Sequence, residues 1–261
     1  MSNRFLSRSH QAAAGNHSYR LQLATAFDLA HIPRVSLVIP TLNEERNLPH
    51  VLARIPAWIH ELIIVDGCST DDTIATAQRL FNSARIVIEK ARGKGAALRA
   101  GFEAATGDII VTLDDDVSMA TAEITTFVGA LMSGADFVKG SRFIQGGGTD
   151  DMSAFRMLGN WGLTKAVRLL YHTHFSDLCY GYIAFWRAYA PLLMPNTNGF
   201  EVETHLNVRA LKADLKIVEV PSFEANRIFG ESNLRAIPDG WRVLKTIFRE
   251  RMAPLSYRGQ Q

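Results

Sequence analysis

Val35-Ser-Leu-Val-Ile-Pro-Thr-Leu-Asn-Glu-Glu45 begins as an apolar run rich in Val and Ile and ends in polar and acidic residues. A run of that kind without polar alternation reads as a strand buried on both faces, the habit of parallel sheets. The same unit returns twice. Leu62-Ile-Ile-Val65 runs into Asp66-Gly-Cys-Ser-Thr-Asp71, and Ile109-Ile-Val-Thr-Leu113 runs into Asp114-Asp-Asp116. Shorter runs stand at Ile86-Val-Ile88 and Phe137-Val138. Between them lie stretches of helix-forming composition, around Leu48 to Ile55, Asp71 to Phe81, Ala96 to Ala105 and Thr121 to Met132. Strict βαβα order predicts an α/β fold: a doubly wound, mainly parallel sheet with helices on both faces. Ser69 and Thr70, followed by Asp71 and Asp72, offer capping oxygens and acidic charge and place the start of the second helix there.

Beyond Gly140 the rhythm changes. A glycine loop at Gly146-Gly-Gly148, a helical stretch from Ser153 to Tyr171 and an aromatic segment, Tyr180-Gly-Tyr-Ile-Ala-Phe-Trp186, read as a second, substrate-facing half on the same sheet. The last amphipathic stretch runs from Pro238 to Met252. The expected organisation is a poorly ordered arm over 1–33, one domain over 34–236, and a basic amphipathic helix and tail over 237–261.

Composition narrows the function classes. The chain has 261 residues, 47% hydrophobic and 21% charged, with net charge +2. It is long enough for one large domain and is neither disordered nor fibrous. No stretch reaches the roughly 18 apolar residues of a membrane-spanning helix, so membrane contact is expected to be peripheral. Residues 1–30 lack the apolar core of a secretory signal. Two cysteines, Cys68 and Cys179, are too few for a disulfide framework and suit a reducing cytoplasm. No concentrated basic face interleaved with aromatics points to nucleic acid. Nothing in the sequence signals an oligomeric state.

In open α/β sheets ligands collect beyond the carboxyl ends of strands, where all three acidic segments fall. Three successive carboxylates are unfavourable alone, since two charges about 4 Å apart repel by roughly 4 kcal/mol at an effective dielectric near 20. A hard divalent cation completed by substrate phosphates relieves this, and residues at i and i+2 of an extended segment share a side, so Asp114 and Asp116 can share it while Asp115 points elsewhere. An acidic turn capping the next helix is the plain alternative. Gly93-Lys94-Gly95 opens a helix in the geometry that approaches phosphate with amides and a lysine, although the glycines equally suit an ordinary turn. The third glycine of a dinucleotide fingerprint is replaced by Leu98.

Taken in order, V-S-L-V-I-P-T-L-N-E-E, V-D-G-C-S-T-D-D-T, G-K-G-A-A-L-R-A-G, L-D-D-D and G-S-R-F resemble the glycosyltransferase family 2 enzymes of the GT-A fold, nearest to the polyprenyl and dolichyl phosphate mannose or glucose synthases. The resemblance spans about Val35 to Leu244. It implies that Pro40, Thr41 and Glu44 contact the nucleoside, with Glu44 on the ribose and Asp66 on the base. Asn43, Ser69, Lys94 and Asp115 stand in the same motifs and go with the nucleotide. Asp114 and Asp116 resemble the D-x-D pair that holds Mg2+ or Mn2+ on a sugar-nucleotide diphosphate. Arg142, and Arg227 with Ser232, match positions that grip the leaving diphosphate or an acceptor phosphate, and Glu203 falls near the catalytic carboxylate.

The implied activity is inverting, metal-dependent transfer of a hexose from a GDP-mannose or UDP-glucose type donor to a polyprenyl phosphate at the cytoplasmic membrane face. Asp116, Arg142, Glu203 and Arg227 are its expected catalytic residues. Three departures fall towards the acceptor side: Asp114-Asp-Asp-Val-Ser-Met119, Asp177-Leu-Cys-Tyr-Gly-Tyr-Ile183, and Asn233 in place of a lysine. Transfer to a sugar or small-molecule hydroxyl, with Glu203 or Glu201 taking the proton, therefore stays open, as does a nucleotide-binding subunit without turnover. From Arg227 to Arg258 seven cations outnumber three carboxylates. Such a helix suits an anionic membrane surface, or packs on the domain with its charges solvated.

Overall fold

The computed structural model describes residues 32–115, 117–230 and 234–254. All of the expected N-terminal arm but Ile32 and Pro33 therefore lies outside the described residues, as do Asp116, Ser232, Asn233 and the tail from 255 onward.

The first half alternates as its apolar runs demand: β1 (Val35–Thr41), α1 (Leu48–Leu52), β2 (Glu61–Asp66), α2 (Thr73–Leu80), β3 (Arg85–Ile88), α3 (Lys94–Ala104) and β4 (Ile109–Thr112). The second half contains α4 (Ile124–Met132), β5 (Phe137–Ser141), β6 (Gly148–Thr149), α5 (Ala154–Tyr171), β7 (Ile183–Trp186), α6 (Ala190–Leu193), α7 (Val202–Lys212), β8 (Ile217–Pro221), β9 (Phe223–Glu224) and α8 (Ala236–Met252). Seven strands form one sheet in the order β3-β2-β1-β4-β7-β5-β8. Every pairing in it is parallel except those of β7, which runs antiparallel between β4 and β5.

Alternate residues of the strands feed two separate cores. Leu37, Ile39, Leu62, Ile64 and Val111 pack with Leu48, Ala77 and Phe127 of α1, α2 and α4. Val38, Ile63, Val65 and Ile110 pack with Leu98 and Phe102 of α3 and Leu206 of α7. This division follows from handedness. Right-handed crossovers from β1 to β2 to β3 place α1 and α2 on one face, and the return from β3 to β4 on the far side of β1 places α3 on the other. The winding reverses between β1 and β4, and such a switch point opens a crevice at the strands' carboxyl ends. Truncating one of the fully buried anchors beneath it, such as Ile39→Ala, costs about 2–5 kcal/mol.

Several boundaries depart from the sequence reading. Strand β3 is exposed or half-buried throughout, because it is the sheet edge rather than an interior strand. Helix α2 begins at Thr73: Asp71 accepts from the Thr73 amide at 3.1 Å, while Ser69 and Thr70 bond to Asn43 and stay in the loop. The stretch from Thr121 starts as a 3₁₀ turn before α4 begins at Ile124.

Candidate active site

The loops after β1 and β2 are laced together. Asn43, at φ 59°, donates its amide to Ser69 Oγ at 2.8 Å and accepts from the Thr70 amide at 2.8 Å. A short polar side chain tolerates that left-handed backbone, which explains Asn at this position. Glu44 donates its amide to Thr73 Oγ1 at 2.8 Å, and Glu45 receives the Asp72 amide at 3.0 Å. Asn47 binds the Phe229 backbone in both directions at 3.1 Å, so the segment after β9 crosses against this loop, where Arg46 lies 4.1 Å from the Phe229 ring centroid. Arg227 is half-buried in the same segment.

Pro40, Thr41 and Asp66 line the end of the β1–β2 pair. Asp66 is wholly buried; its Oδ2 accepts the Ser69 amide at 2.9 Å, whereas Oδ1 has no hydrogen-bond partner. A buried acceptor left unpaired costs about 1–3 kcal/mol, so the position favours a ligand that brings an N–H donor.

Across the switch point, Lys94 joins two acidic residues that are distant in sequence. Its Nζ lies 2.6 Å from Asp114 Oδ1 and 2.7 Å from Glu203 Oε1. Asp114 lies two residues beyond the end of β4 and Glu203 sits in the first turn of α7, where a carboxylate suits the positive end of the helix. Burial works to lower the Lys94 pKa, but the two carboxylates overcome it and hold the ammonium far above lysine's ordinary range. Gly181 makes the arrangement possible, because a Cβ there would fall 2.6 Å from Lys94 Nζ and 2.8 Å from Glu203 Oε1. The glycines around Lys94 are required by close packing. The Gly95 amide donates to Asn198 O at 2.8 Å, and side chains at 93 or 95 would collide with the 197–198 backbone. The motif delivers the Lys94 ammonium to the site.

Asp114 is suited to a divalent cation. Its hard carboxylate oxygens already attract one cation, Lys94, and the side chain remains 24% exposed. Asp115 beside it is half-buried, and Asp116, the expected second ligand, lies outside the described residues. Among the described residues no group of three His, Cys, Asp or Glu side chains is placed to hold an ion by itself. One or two carboxylates completed by substrate phosphates is the usual arrangement for Mg2+, and Asp114 fits it.

Arg142, expected to grip the leaving diphosphate or an acceptor phosphate, is buried among protein partners. Its Nε lies 2.7 Å from Asp177 Oδ2, Nη2 3.0 Å from Asp177 Oδ1, Nη1 3.0 Å from Glu224 Oε2 and Nη2 2.7 Å from the Cys179 carbonyl. Four of its five donors are thereby engaged. Asn160 of α5 donates to Asp177 Oδ1 at 2.9 Å and accepts from the Cys179 amide at 3.0 Å, completing the network. Burial would raise the Asp177 pKa, but the Arg142 guanidinium and then Lys139 hold it below the ordinary carboxylate range. Asn160, Asp177, Gly181 and Glu224 were not read as site residues from sequence. Asp177 and Gly181 do stand in a segment that aligns with a family motif, and that was the one available signal.

Beside this network lies a cleft of about 220 Å³ lined by Phe143, Met157, Trp161, Thr164, Lys165 and Arg168, among others.

Residues 36–190 match the family model described as Glycosyl transferase family 2. The chain is 35% identical over 228 residues to an uncharacterized glycosyltransferase of Mycobacterium tuberculosis, covering 80% of this chain and 97% of that one. It is 30% identical over 224 residues to the dolichol-phosphate mannosyltransferase of Pyrococcus furiosus, covering 82% of this chain and 61% of that protein. A solved structure of glucosyl-3-phosphoglycerate synthase from M. tuberculosis, in complex with Mn2+, UDP and glucosyl-3-phosphoglycerate, superposes with a TM-score of 0.67 at 27% identity, over 85% of this chain and 81% of that one. With its switch-point crevice, its mainly parallel sheet and these relatives, the chain belongs to glycosyl transferase family 2 and is a glycosyltransferase of the GT-A fold.

Proposed function

We propose that this glycosyltransferase moves a hexose, with inversion, from a nucleotide diphosphate sugar to a polyprenyl phosphate. The donor half rests on Asp66, whose buried, unpartnered Oδ1 suits an N–H of a nucleobase at the switch point. Pro40, Thr41, Asn43, Glu44 and Ser69 frame the nucleoside there, and Asp114 faces the diphosphate with Asp115 and Asp116 beside it. Asp114 and Asp116 would hold a Mg2+ or Mn2+ ion, which would supply charge stabilisation for the departing nucleoside diphosphate. The solved relative with Mn2+ and UDP supports that assignment.

The acceptor half rests on Glu203. Its Oε1 is held by Lys94 at 2.7 Å and the residue is only 8% exposed, so it is poorly placed to take a proton from an incoming hydroxyl. A phosphate monoester is already anionic near neutral pH and attacks the anomeric carbon without a general base. Lys94 then keeps Asp114 and Glu203 together while donor charge develops. Arg142, engaged below the surface, holds Asp177 and the 177–181 backbone that faces the acceptor; we assign it positioning rather than contact with phosphate. We assign Arg227, whose segment crosses the nucleotide loop at Phe229, to the diphosphate, together with Ser232 of the same sequence motif. The apolar cleft flanked by Lys165 and Arg168 suits an isoprenoid acceptor, and the basic helix α8 suits peripheral contact with a membrane.

Transfer from UDP-glucose and GDP-mannose, measured in detergent with polyprenyl phosphate and with hydroxyl acceptors, tests both halves. Glu203→Gln should keep nucleotide affinity and most of its turnover on a phosphate acceptor. Severe loss of turnover with unchanged nucleotide affinity would instead assign Glu203 as the base for a hydroxyl acceptor, the route left open by the glucosyl-3-phosphoglycerate synthase relative.

A further inference from the structure

Helix α5 is built inside out. Its inward face presents Asn160, Thr164 and Val167, while Phe155, Leu158, Trp161 and Leu169 stand 60%, 66%, 60% and 77% exposed. The inward polarity has a reason, since Asn160 holds the Asp177 network. The outward apolar residues have none within the described chain. Scattered exposed hydrophobics are ordinary, but a stripe of large ones along one helix marks a surface that something covers.

Helix α8 continues that surface. It packs inward through Val243 and Ile247, which share a core cluster with Val167, and Tyr171 at the end of α5 donates to the Ile247 carbonyl at 2.7 Å. One apolar stripe is enough to seat a surface helix. α8 carries a second, outward one: Ile237, Trp241, Phe248 and Met252, each at least half exposed and spaced by whole helical turns. The exposed charges of the two helices are all of one sign. Lys165, Arg168, Arg242, Lys245, Arg249 and Arg251 are exposed, whereas the two acids of α8 are buried, Asp239 beside Arg242 at 2.7 Å and Glu250 beside Arg249 at 3.8 Å. Helix α5 has no acidic residue.

We infer that the outward faces of α5 and α8 form one docking platform for an anionic lipid bilayer. Apolar side chains enter the interface and the cations meet the headgroups, each cation strengthening binding by about fivefold near an anionic leaflet. A second copy of the chain is the poorer occupant, because pairing these faces would set cations against cations. Docking in this way brings the mouth of the cleft at Met157 and Trp161 to the bilayer. In that respect the inference extends and rests on the lipid-phosphate reading, although the platform itself is argued from exposure and charge.

The test is flotation of the full chain with phosphatidylcholine vesicles containing phosphatidylglycerol and no polyprenyl phosphate. The protein should float with the vesicles, less so at high salt. The triple variant Phe155→Gln, Leu158→Gln, Trp161→Gln should lose roughly a hundredfold in vesicle affinity. Because all three positions are exposed, its thermal midpoint should match that of the parent. A second variant, Lys165→Glu with Lys245→Glu, should lose binding to anionic vesicles while leaving the apolar stripes intact. The proposal is overturned if the parent stays in the aqueous fraction, if the triple variant floats as the parent does, or if the triple variant instead dissolves a dimer seen by sedimentation velocity. Failure of the acceptor reading registers separately, as absent transfer to polyprenyl phosphate in detergent, where docking is not required.

Discussion

Replacing Arg142 with Met keeps much of the side-chain volume and removes the charge at the centre of the Asp177–Glu224 network. Asp177, fully buried, would lose its two guanidinium bonds at 2.7 and 3.0 Å and retain Asn160 and the residue 142 amide at 3.2 Å. Glu224 would lose its 3.0 Å partner and keep Thr149. Breaking one side of a buried ion pair leaves the other charge uncompensated and costs about 3–5 kcal/mol, a large share of a typical domain's stability. The companion variant Asp177→Asn exchanges the stranded carboxylate for a neutral amide of the same shape, so the double variant should recover part of that loss. Urea unfolding at neutral pH, read by linear extrapolation with m-values compared, measures the cycle. Nucleotide affinity should stay within about threefold of the parent, since Arg142 lies beneath the site rather than in it. A loss under about 1 kcal/mol for Arg142→Met, or strictly additive single and double variants, would refute the reasoning that Arg142 and Asp177 compensate one another in the buried network.

Three further outcomes follow from the same geometry. Asp66→Asn should weaken nucleotide binding about 10- to 100-fold by calorimetry, because an acceptor aimed at a ligand N–H becomes partly a donor, and it should leave folding stability nearly unchanged. Burial opposes ionisation of Glu250, but the His205 contact and Lys212 hold its pKa at about 2 against an ordinary 4.5; its stabilising contribution is therefore complete above about 4.5 and disappears as pH falls through that window. Glu250→Gln should be less stable than the parent at pH 7 and should converge with it near pH 2. Cys68 is exposed two residues from Asp66, whereas burial pushes the Cys179 thiol up to about 12. Alkylation should modify Cys68 alone, and bound nucleotide should slow it; equal rates with and without a nucleotide that binds elsewhere in the assay would argue against the position of the donor site.

The central sheet was legible because Val- and Ile-rich runs buried on both faces carry their own signal, and because acidic residues directly after them mark the strand ends that face a ligand. β3 was misjudged as interior since Ile86 and Ile88 resemble core residues, and only the strand order reveals an edge. The start of α2 was misplaced because Ser69 and Thr70 are good capping residues whose hydrogen bonds the loop after β1 takes first. The polar networks were not legible at all in their pairings. Lys94 meets Glu203 across 109 positions and Arg142 meets Asp177 across 35, distances over which periodicity carries no information. Nor could the outward stripe of α5 be read in advance, since apolar residues at helical spacing ordinarily imply a buried face. Only Asn160, turned inward to the network, and the buried Thr164 and Val167 show which side of the helix is which.

The most direct measurement is thermal unfolding of the full chain with UDP, GDP and their sugars, each with Mn2+ and again with EDTA. A nucleotide present at about 100 times its Kd stabilises the native state by about 2.7 kcal/mol, which for a chain of this size raises the midpoint by roughly 5–10 °C. The account predicts such a shift for one base and its sugar, abolished by EDTA and by Asp114→Ala. An unchanged midpoint with every nucleotide in the presence of Mn2+ would contradict it and leave the acidic rim as an ordinary set of loop caps.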